Sequence, residues 1–393
     1  MSKEITFLMK VMKGGGAERV ISLLTKAFSE RNYAVTLIIT HQSLSDADLS
    51  HINKDITVIS LTDEIKKEKK SAFLARLIML FARLIGKINS EKGSVLKYYS
   101  RNYDSVKWLK KFFLMHKKSV AAAFLYDTIF LTLLSRNKTN KVIISERGDP
   151  RQSASSKTVA AFMKTEFMKA DNIVFQSPDA KKWYEENTPA SGTVIFNPVK
   201  ADLPEPYQGE RKKRIVNFCR ISAQKNLIML AEAFSMLHKD YPEFELDIIG
   251  DCVGNDAEGY IEKVTERIKQ LGCEESVRIL PARRDIHDYI KDYAMFVSSS
   301  DFEGMSNSML EAMAIGLPVV CTDCPAGGAR AVIKNGENGL LVPVGDAQKT
   351  YEAMKTVIEN PELAKKISEN ALNIRNELSV EKIIEKWEKI IND

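Results

Sequence analysis

The chain has no apolar run long enough to cross a bilayer, and its first residues lack an apolar core ahead of a cleavage site. The first absence excludes a helical spanning protein. The second sets the expectation of a chain without a secretory leader. Five cysteines in 393 residues do not make a disulfide framework. Cys321 and Cys324 form a lone C-x2-C pair with no second pair and no nearby His, too little for a zinc site. The histidines, His41, His51, His116, His238 and His287, show no metal-ligand spacing. Asp46-Ala47-Asp48 sits in a polar loop with no strand leading into it and reads as solvated surface. Gly-x-Gly-x-x-Gly is missing as well, which argues against a nicotinamide cofactor. The expectation is a cytoplasmic, reducing setting and a chemistry that requires no metal and no bound cofactor.

What is present is enough chain for two domains, with the apolar and charged fractions of a globular protein. The net charge of +5 is unevenly placed. Residues 64–118 hold fifteen Lys or Arg against four Asp or Glu. Within them, Ala72 to Ile88 carries Phe73, Leu77, Leu80, Phe81, Leu84 and Ile88 at helical spacing, with Arg76 and Arg83 one heptad apart. Two arginines argue against a spanning helix, whereas a basic amphipathic helix suits an anionic membrane surface. A second basic and aromatic cluster runs from Tyr98 to Phe113. No nucleic-acid motif accompanies either cluster.

The most informative stretch runs from Val297 to Asp346. A buried strand breaks at Ser300-Asp301-Phe302-Glu303-Gly304, a helix follows from about Asn307 to Ile315, and Gly316-Leu317-Pro318 ends it before a second strand. Glu303 lies at the carboxyl end of the first strand and Glu311 about one turn into the helix. Between them Gly304, Met305, Ser306 and Asn307 place backbone N–H groups at a helix N-terminus, which favours an anion. Carboxylates that accept hydroxyls beside amides that accept phosphate suit a nucleotide-sugar. A plain set of helix-start acids would leave the same pattern.

Upstream, Glu4 to Val11 is a strand, Gly14-Gly15-Gly16 a turn and Ala17 to Glu30 a helix, a way to bring backbone close to a phosphate. Strands near Ser119–Leu125 and Lys141–Ser145 end at Asp127 and at Glu146-Arg147-Gly148-Asp149. Strand ends are where open α/β sheets place ligands, so Asp127, Arg147 and Asp149 are candidates for acceptor contacts, with a salt-bridged loop as the plainer reading. After a Pro-rich, charged linker near residues 200–211, a strand ends at Cys219. Arg220 and Lys225 then stand five residues apart before a helix, a fork and a point charge able to clamp a diphosphate.

Glu303-Gly304, Leu310-Glu311-Ala312-Met313-Ala314, Gly316-Leu317-Pro318-Val319-Val320 and the later Gly336-Glu337-Asn338-Gly339 turn together resemble the glycosyltransferase family 4 signature. The Gly-Gly-x-Glu-Arg-Val run and the Arg220/Lys225 pair resemble it too, with Cys219 where the family carries Gly. The resemblance implies an α/β GT-B fold: two Rossmann-like domains, residues 1–198 and 199–375, with a cleft between them, and a C-terminal helix in 376–393 packing back on the first. It implies a retaining, metal-independent transferase. Arg220, Lys225 and Glu303 would be catalytic. Gly15, Gly16, Gly304, Met305, Ser306, Asn307 and Glu311 would bind the donor, with Glu311 on the ribose. Glu146-Arg147 stands where many members carry a His, a departure on the donor side. The expected partners are a nucleoside diphosphate sugar, UDP-sugar favoured, a glycan or lipid-linked acceptor, and an anionic membrane surface through residues 64–118. No nucleic acid is expected. That places the protein on the inner face of the cell membrane. A nucleotide-sugar epimerase of the same fold and a non-catalytic nucleotide-sugar-binding subunit are the rival readings.

Overall fold

The computed structural model describes residues 3–13, 15–50, 52–68, 71–252 and 257–393. The chain divides into two compact units, residues 1–198 with 380–393, and residues 199–379. Each is built on a wholly parallel sheet.

The first sheet has seven strands in the spatial order Thr57–Ser60, Ala34–Ile39, Glu4–Met9, Val120–Phe124, Val142–Ser145, Asn172–Phe175, Thr193–Val194. The central strands are near-continuous apolar runs, as a parallel sheet covered on both faces requires. Ile5, Phe7, Leu8 and Met9 are all fully buried. The order of connection reverses between Glu4–Met9 and Val120–Phe124, which pair directly. The second sheet repeats the plan with six strands: Val277–Leu280, Glu245–Ile249, Lys212–Phe218, Tyr293–Ser298, Val319–Thr322, Leu340–Val342. Its reversal falls between Lys212–Phe218 and Tyr293–Ser298. In doubly wound sheets the crevice at the carboxyl ends of the two reversal strands is the ligand position.

The last helix, Val380–Asn392, belongs to the first unit. Ile383, Ile384, Trp387, Ile390 and Ile391 form its buried stripe. Trp387 stacks on Phe124 with centroids 5.7 Å apart, and Arg31 meets Glu388 at 2.5 Å.

One expectation changes. The second aromatic cluster is not a surface: Phe112 and Phe113 are buried, and Tyr98, Tyr99 and Trp108 pack against the same core. Helix Tyr103–Met115 turns Trp108, Phe112 and Phe113 to that core, while Lys107, Lys110, Lys111, Leu114 and Met115 face water. Helix Ala72–Ile88 behaves oppositely, with Ala82 its one buried residue.

Trp387→Ala is expected to cost the first unit about 3–5 kcal/mol, the range for truncating a fully buried aromatic. Urea unfolding followed by circular dichroism will show it as a lowered midpoint with little change in slope.

Candidate functional site

In the second unit, the loop after Lys212–Phe218 and the loop after Tyr293–Ser298 are laced together. Asp301 N donates to the Gln224 carbonyl at 2.9 Å, and Gln224 Nε2 to the Phe302 carbonyl at 2.7 Å. Ser299 Oγ donates to the Lys225 carbonyl at 2.7 Å. Asn226 adopts a left-handed backbone (φ 43°), caps the helix Leu227–Asp240 through Met229 N, and donates Nδ2 to Asp301 at 2.7 Å. Asn tolerates that conformation better than other side chains, which explains its place at this bend. Across the laced loops Lys225 Nζ forms an ion pair with Glu303 Oε1, and Ser300 Oγ reaches the same oxygen at 3.3 Å. Both charged side chains are largely buried. Burial pulls the Lys225 ammonium down, but the Glu303 carboxylate outweighs it and holds the pKa above its ordinary value.

Arg220 stands at the end of the same strand, exposed, with no ion pair among the described residues. Each of the two loops is closely packed by a neighbouring stretch of chain. A Cβ on Gly250 would lie 1.7 Å from the Cys219 carbonyl oxygen, and one on Gly328 would lie 1.7 Å from that of Gly304. The Gly304 turn is therefore backed by bare backbone. Ser306 Oγ caps Asn307–Ala314 by accepting from Met309 N at 3.3 Å. Glu303, Ser306 and Met309 line a small cleft with Cys321, Thr322 and Cys324. Met305 and Asn307 already have partners. Glu311 is buried on that helix, with Oε2 2.9 Å from His287 Nε2. His287 was missed in the sequence because no spacing ties it to Glu311; helix Ile286–Ile290 brings it there. Cys219 is pushed up to about 12 by burial, and Cys252 is the one exposed thiol of the five.

The first unit carries a parallel arrangement. Lys10, directly after Glu4–Met9, meets Asp127, just beyond Val120–Phe124, at 2.6 Å, with both side chains partly open to solvent. A Lys–acid pair thus bridges the reversal point of each sheet. Leu125, between the strand and Asp127, has φ 71° and ψ 149°, a region almost reserved for glycine. Tyr98 Oη donates to the Asp127 carbonyl at 3.1 Å and fixes the bend. His41, beside the pair, is lowered by burial and by Lys10 against the pull of Asp127.

The other candidates in this unit are differently engaged. Glu18 accepts from Gly15 N at 2.9 Å and from Lys13 N, so the carboxylate already occupies the Gly15 amide, and Gly16 has a partner of its own. Asp149 is buried and caps Pro150–Ala154 through Arg151 N at 2.9 Å. Arg147 lies over the Phe124 ring at 4.5 Å and donates Nη1 to Asn197 Oδ1 at 2.6 Å. Arg147 and Asp149 thus have structural partners inside the unit, and Asp127 is the more accessible of the two acids. Glu146, 1% exposed, accepts from Tyr126 Oη at 2.7 Å and from Gly148 N at 3.0 Å, and its Oε2 has no hydrogen-bond partner. Burial pushes its carboxyl up to about 7, against the Tyr126 and Gly148 hydrogen bonds.

Two parallel sheets wound about a reversal point, with ligand-type residues at both reversals, define a class: the fold is GT-B. Residues 200–374, within the second unit, match the family model Glycosyl transferases group 1. A mutant of S. aureus TarM, in a crystal structure with fondaparinux, alpha-GlcNAc-glycerol and UDP, superposes with a TM-score of 0.79 over 100% of both chains at 15% identity. An uncharacterized glycosyltransferase of Haemophilus influenzae is 26% identical over 222 residues, 56% of this chain and 61% of the relative. The N-acetylgalactosamine-N,N'-diacetylbacillosaminyl-diphospho-undecaprenol 4-alpha-N-acetylgalactosaminyltransferase of Campylobacter jejuni is 32% identical over 155 residues, 39% of this chain and 40% of the relative. The chain spans less than two thirds of both curated relatives.

Glu146 has a pH consequence. Its folded pKa of about 7 lies above the ordinary 4.5. The folded state therefore holds the proton more tightly, and the stability this gives is complete below about pH 4.5 and lost as the pH rises through about 7. Glu146→Gln keeps the neutral shape at every pH. Its melting temperature is expected to fall less than the wild type's between pH 5 and 8, by several degrees at roughly 2–4 °C per kcal/mol. Differential scanning fluorimetry across that range measures the difference.

Proposed function

We propose that the protein is a glycosyltransferase moving a hexose or N-acetylhexosamine from a nucleoside diphosphate sugar, UDP-sugar favoured, to a lipid-linked or polysaccharide-precursor acceptor at the inner face of the membrane. The observation that carries this reading is the exposed Arg220, with no ion pair among the described residues, beside the Lys225–Glu303 pair at the reversal point of a unit that matches the group 1 model. The UDP in the TarM complex supports the donor base. The diphospho-undecaprenol named for the Campylobacter relative supports the acceptor class.

In this reading the second unit holds the donor. Arg220 and Lys225 take the diphosphate oxygens, where they offset the charge that builds on the leaving group. Lys225 is pre-set by Glu303, whose second oxygen orients the sugar hydroxyls. Glu311, steadied by His287, takes the ribose, and the Gly304–Asn307 turn lies along the sugar and phosphate. The bond from the anomeric carbon to the diphosphate breaks, and the acceptor oxygen bonds to that carbon on the same face. The acceptor proton passes to a diphosphate oxygen, and configuration is retained without a metal. In the first unit Asp127, paired with Lys10, accepts the acceptor hydroxyl. Gly15 and Gly16 contribute backbone shape, since Glu18 already takes the Gly15 amide.

Arg220→Ala is expected to leave the melting temperature within a degree or two, because the side chain is exposed and has no ion pair among the described residues. Turnover should fall roughly 10²–10³-fold, the cost of one donor on a developing oxyanion. A thermal-shift panel of UDP, GDP, ADP and their sugars, followed by transfer assays with the selected sugar, measures both. Full activity in Arg220→Ala would overturn the assignment of the clamp, and donor binding with no transfer to any acceptor would leave a binding subunit in its place.

Asp127→Asn should raise the acceptor KM or lower kcat by at least tenfold while UDP-induced stabilisation stays at the wild-type value. Added EDTA should leave wild-type transfer unchanged. Steady-state kinetics with varied acceptor, with and without chelator, check both outcomes.

A further inference from the structure

Helix Ala72–Ile88 is apolar on two sides. One side, formed by Ala75, Ile78, Met79, Ala82, Ile85 and Gly86, faces inward in the burial pattern. Its partner is helix Ser90–Arg101: a Cβ on Gly93 would lie 2.3 Å from Gly86 Cα, and Ser100 Oγ donates to the Ala75 carbonyl at 2.6 Å. The two helices are therefore in backbone contact and form a stiff hairpin. The other side faces water. At about 100° per residue, Phe73, Leu77, Leu80, Phe81, Leu84 and Ile88 fall within an arc of roughly 100°. All six are exposed, Phe73 at 73%, Phe81 at 62% and Ile88 at 91%. Including Leu74, this helix holds seven of the twelve exposed large apolar side chains among the described residues. Such a patch is unfavourable in water and marks a contact surface.

The charges on the helix decide what covers it. Arg76, Arg83 and Lys87 lie within an arc of roughly 40° along one edge of the apolar stripe. They are exposed, no ion pair among the described residues engages them, and the helix carries no acid. A two-fold contact between copies would set these cations against their own kind. An anionic bilayer offers hydrocarbon for the stripe and phosphate for the edge. The helix has 17 residues and is not long and apolar enough to cross a membrane, so it lies in the interface plane.

We infer that helix Ala72–Ile88 docks the protein on an anionic lipid surface, with Phe73, Phe81 and Leu84 below the phosphates and Arg76, Arg83 and Lys87 among them. This deepens the lipid-linked reading of the acceptor and rests on it for its purpose. Tyr98, on the partner helix, holds the Asp127 carbonyl. The docked helix is thus one helix away from the acid assigned to the acceptor hydroxyl.

The test is flotation of the full chain with phosphatidylcholine vesicles and with vesicles containing 30% phosphatidylglycerol, without substrate. UDP binding is read separately by thermal shift, so a failed donor assignment and a failed docking assignment are distinguished. Wild type is expected to float with the anionic vesicles and to lose binding as salt rises. The combined Phe73→Ser, Phe81→Ser and Leu84→Ser variant should keep the wild-type melting temperature, because these side chains are exposed. Its partition onto anionic vesicles should fall at least tenfold. The combined Arg76→Gln, Arg83→Gln and Lys87→Gln variant should lose the preference for anionic lipid and the salt dependence. Absence of flotation with both vesicles, or equal binding by the serine variant, overturns the inference. A wild-type dimer in light scattering that becomes monomeric in the serine variant also overturns it, since the stripe would then be covered by a second copy.

Discussion

The Lys225–Glu303 ion pair is the contact on which the second unit's strand-end site depends. It closes the gap between two loops that leave the sheet at its reversal point, and backbone hydrogen bonds on either side of it hold those loops in register. Removing either partner would strand a charge in a largely buried place, which costs more than the pair contributes. The pair therefore works less as a source of stability than as a clamp on geometry. It fixes where Arg220 emerges and where the Gly304 turn runs. The bare backbones of Gly250 and Gly328 let the neighbouring chain pack directly against Cys219 and the Gly304 turn.

Much of this was legible in the sequence, for definable reasons. The strands of a parallel sheet are apolar on both faces and stand out as unbroken runs, so the strand–helix–strand unit around Glu303 and the amphipathic last helix could be read directly. Arg220, Lys225 and Glu303 could be named because each follows a strand. What a sequence does not carry is direction across the fold. Nothing in the spacing of His287 shows that it meets Glu311. Nothing in Arg147 or Asp149 shows that one lies over Phe124 and the other caps a short helix. The aromatic cluster from Tyr98 to Phe113 and the stripe from Phe73 to Ile88 have similar compositions. Only packing shows that the first faces the sheet and the second faces water.

The two units answer the same topological demand with the same chemistry. Each reversal point is spanned by a lysine from the first strand's end and an acid from beyond the fourth strand. In the second unit the pair is largely buried, and in the first it is partly open beside the strained Leu125. Glu146 adds a different element. It is a carboxyl kept from water with one oxygen unsatisfied, at the position where the sequence departs from its resemblance. Burial favours its neutral form, and a neutral carboxyl is both a donor and an acceptor of hydrogen bonds.

Cys252 is the one thiol of the five that is open to solvent, and its backbone bridges to Ile221 in the Arg220–Lys225 loop. The other four are buried or, like Cys219, held protonated at neutral pH. A maleimide dye added to the unaltered protein would accordingly attach at one position, next to the loop that carries Arg220 and Lys225. The chain comes with its own labelling site, and a change in that loop can be followed by fluorescence without engineering a cysteine.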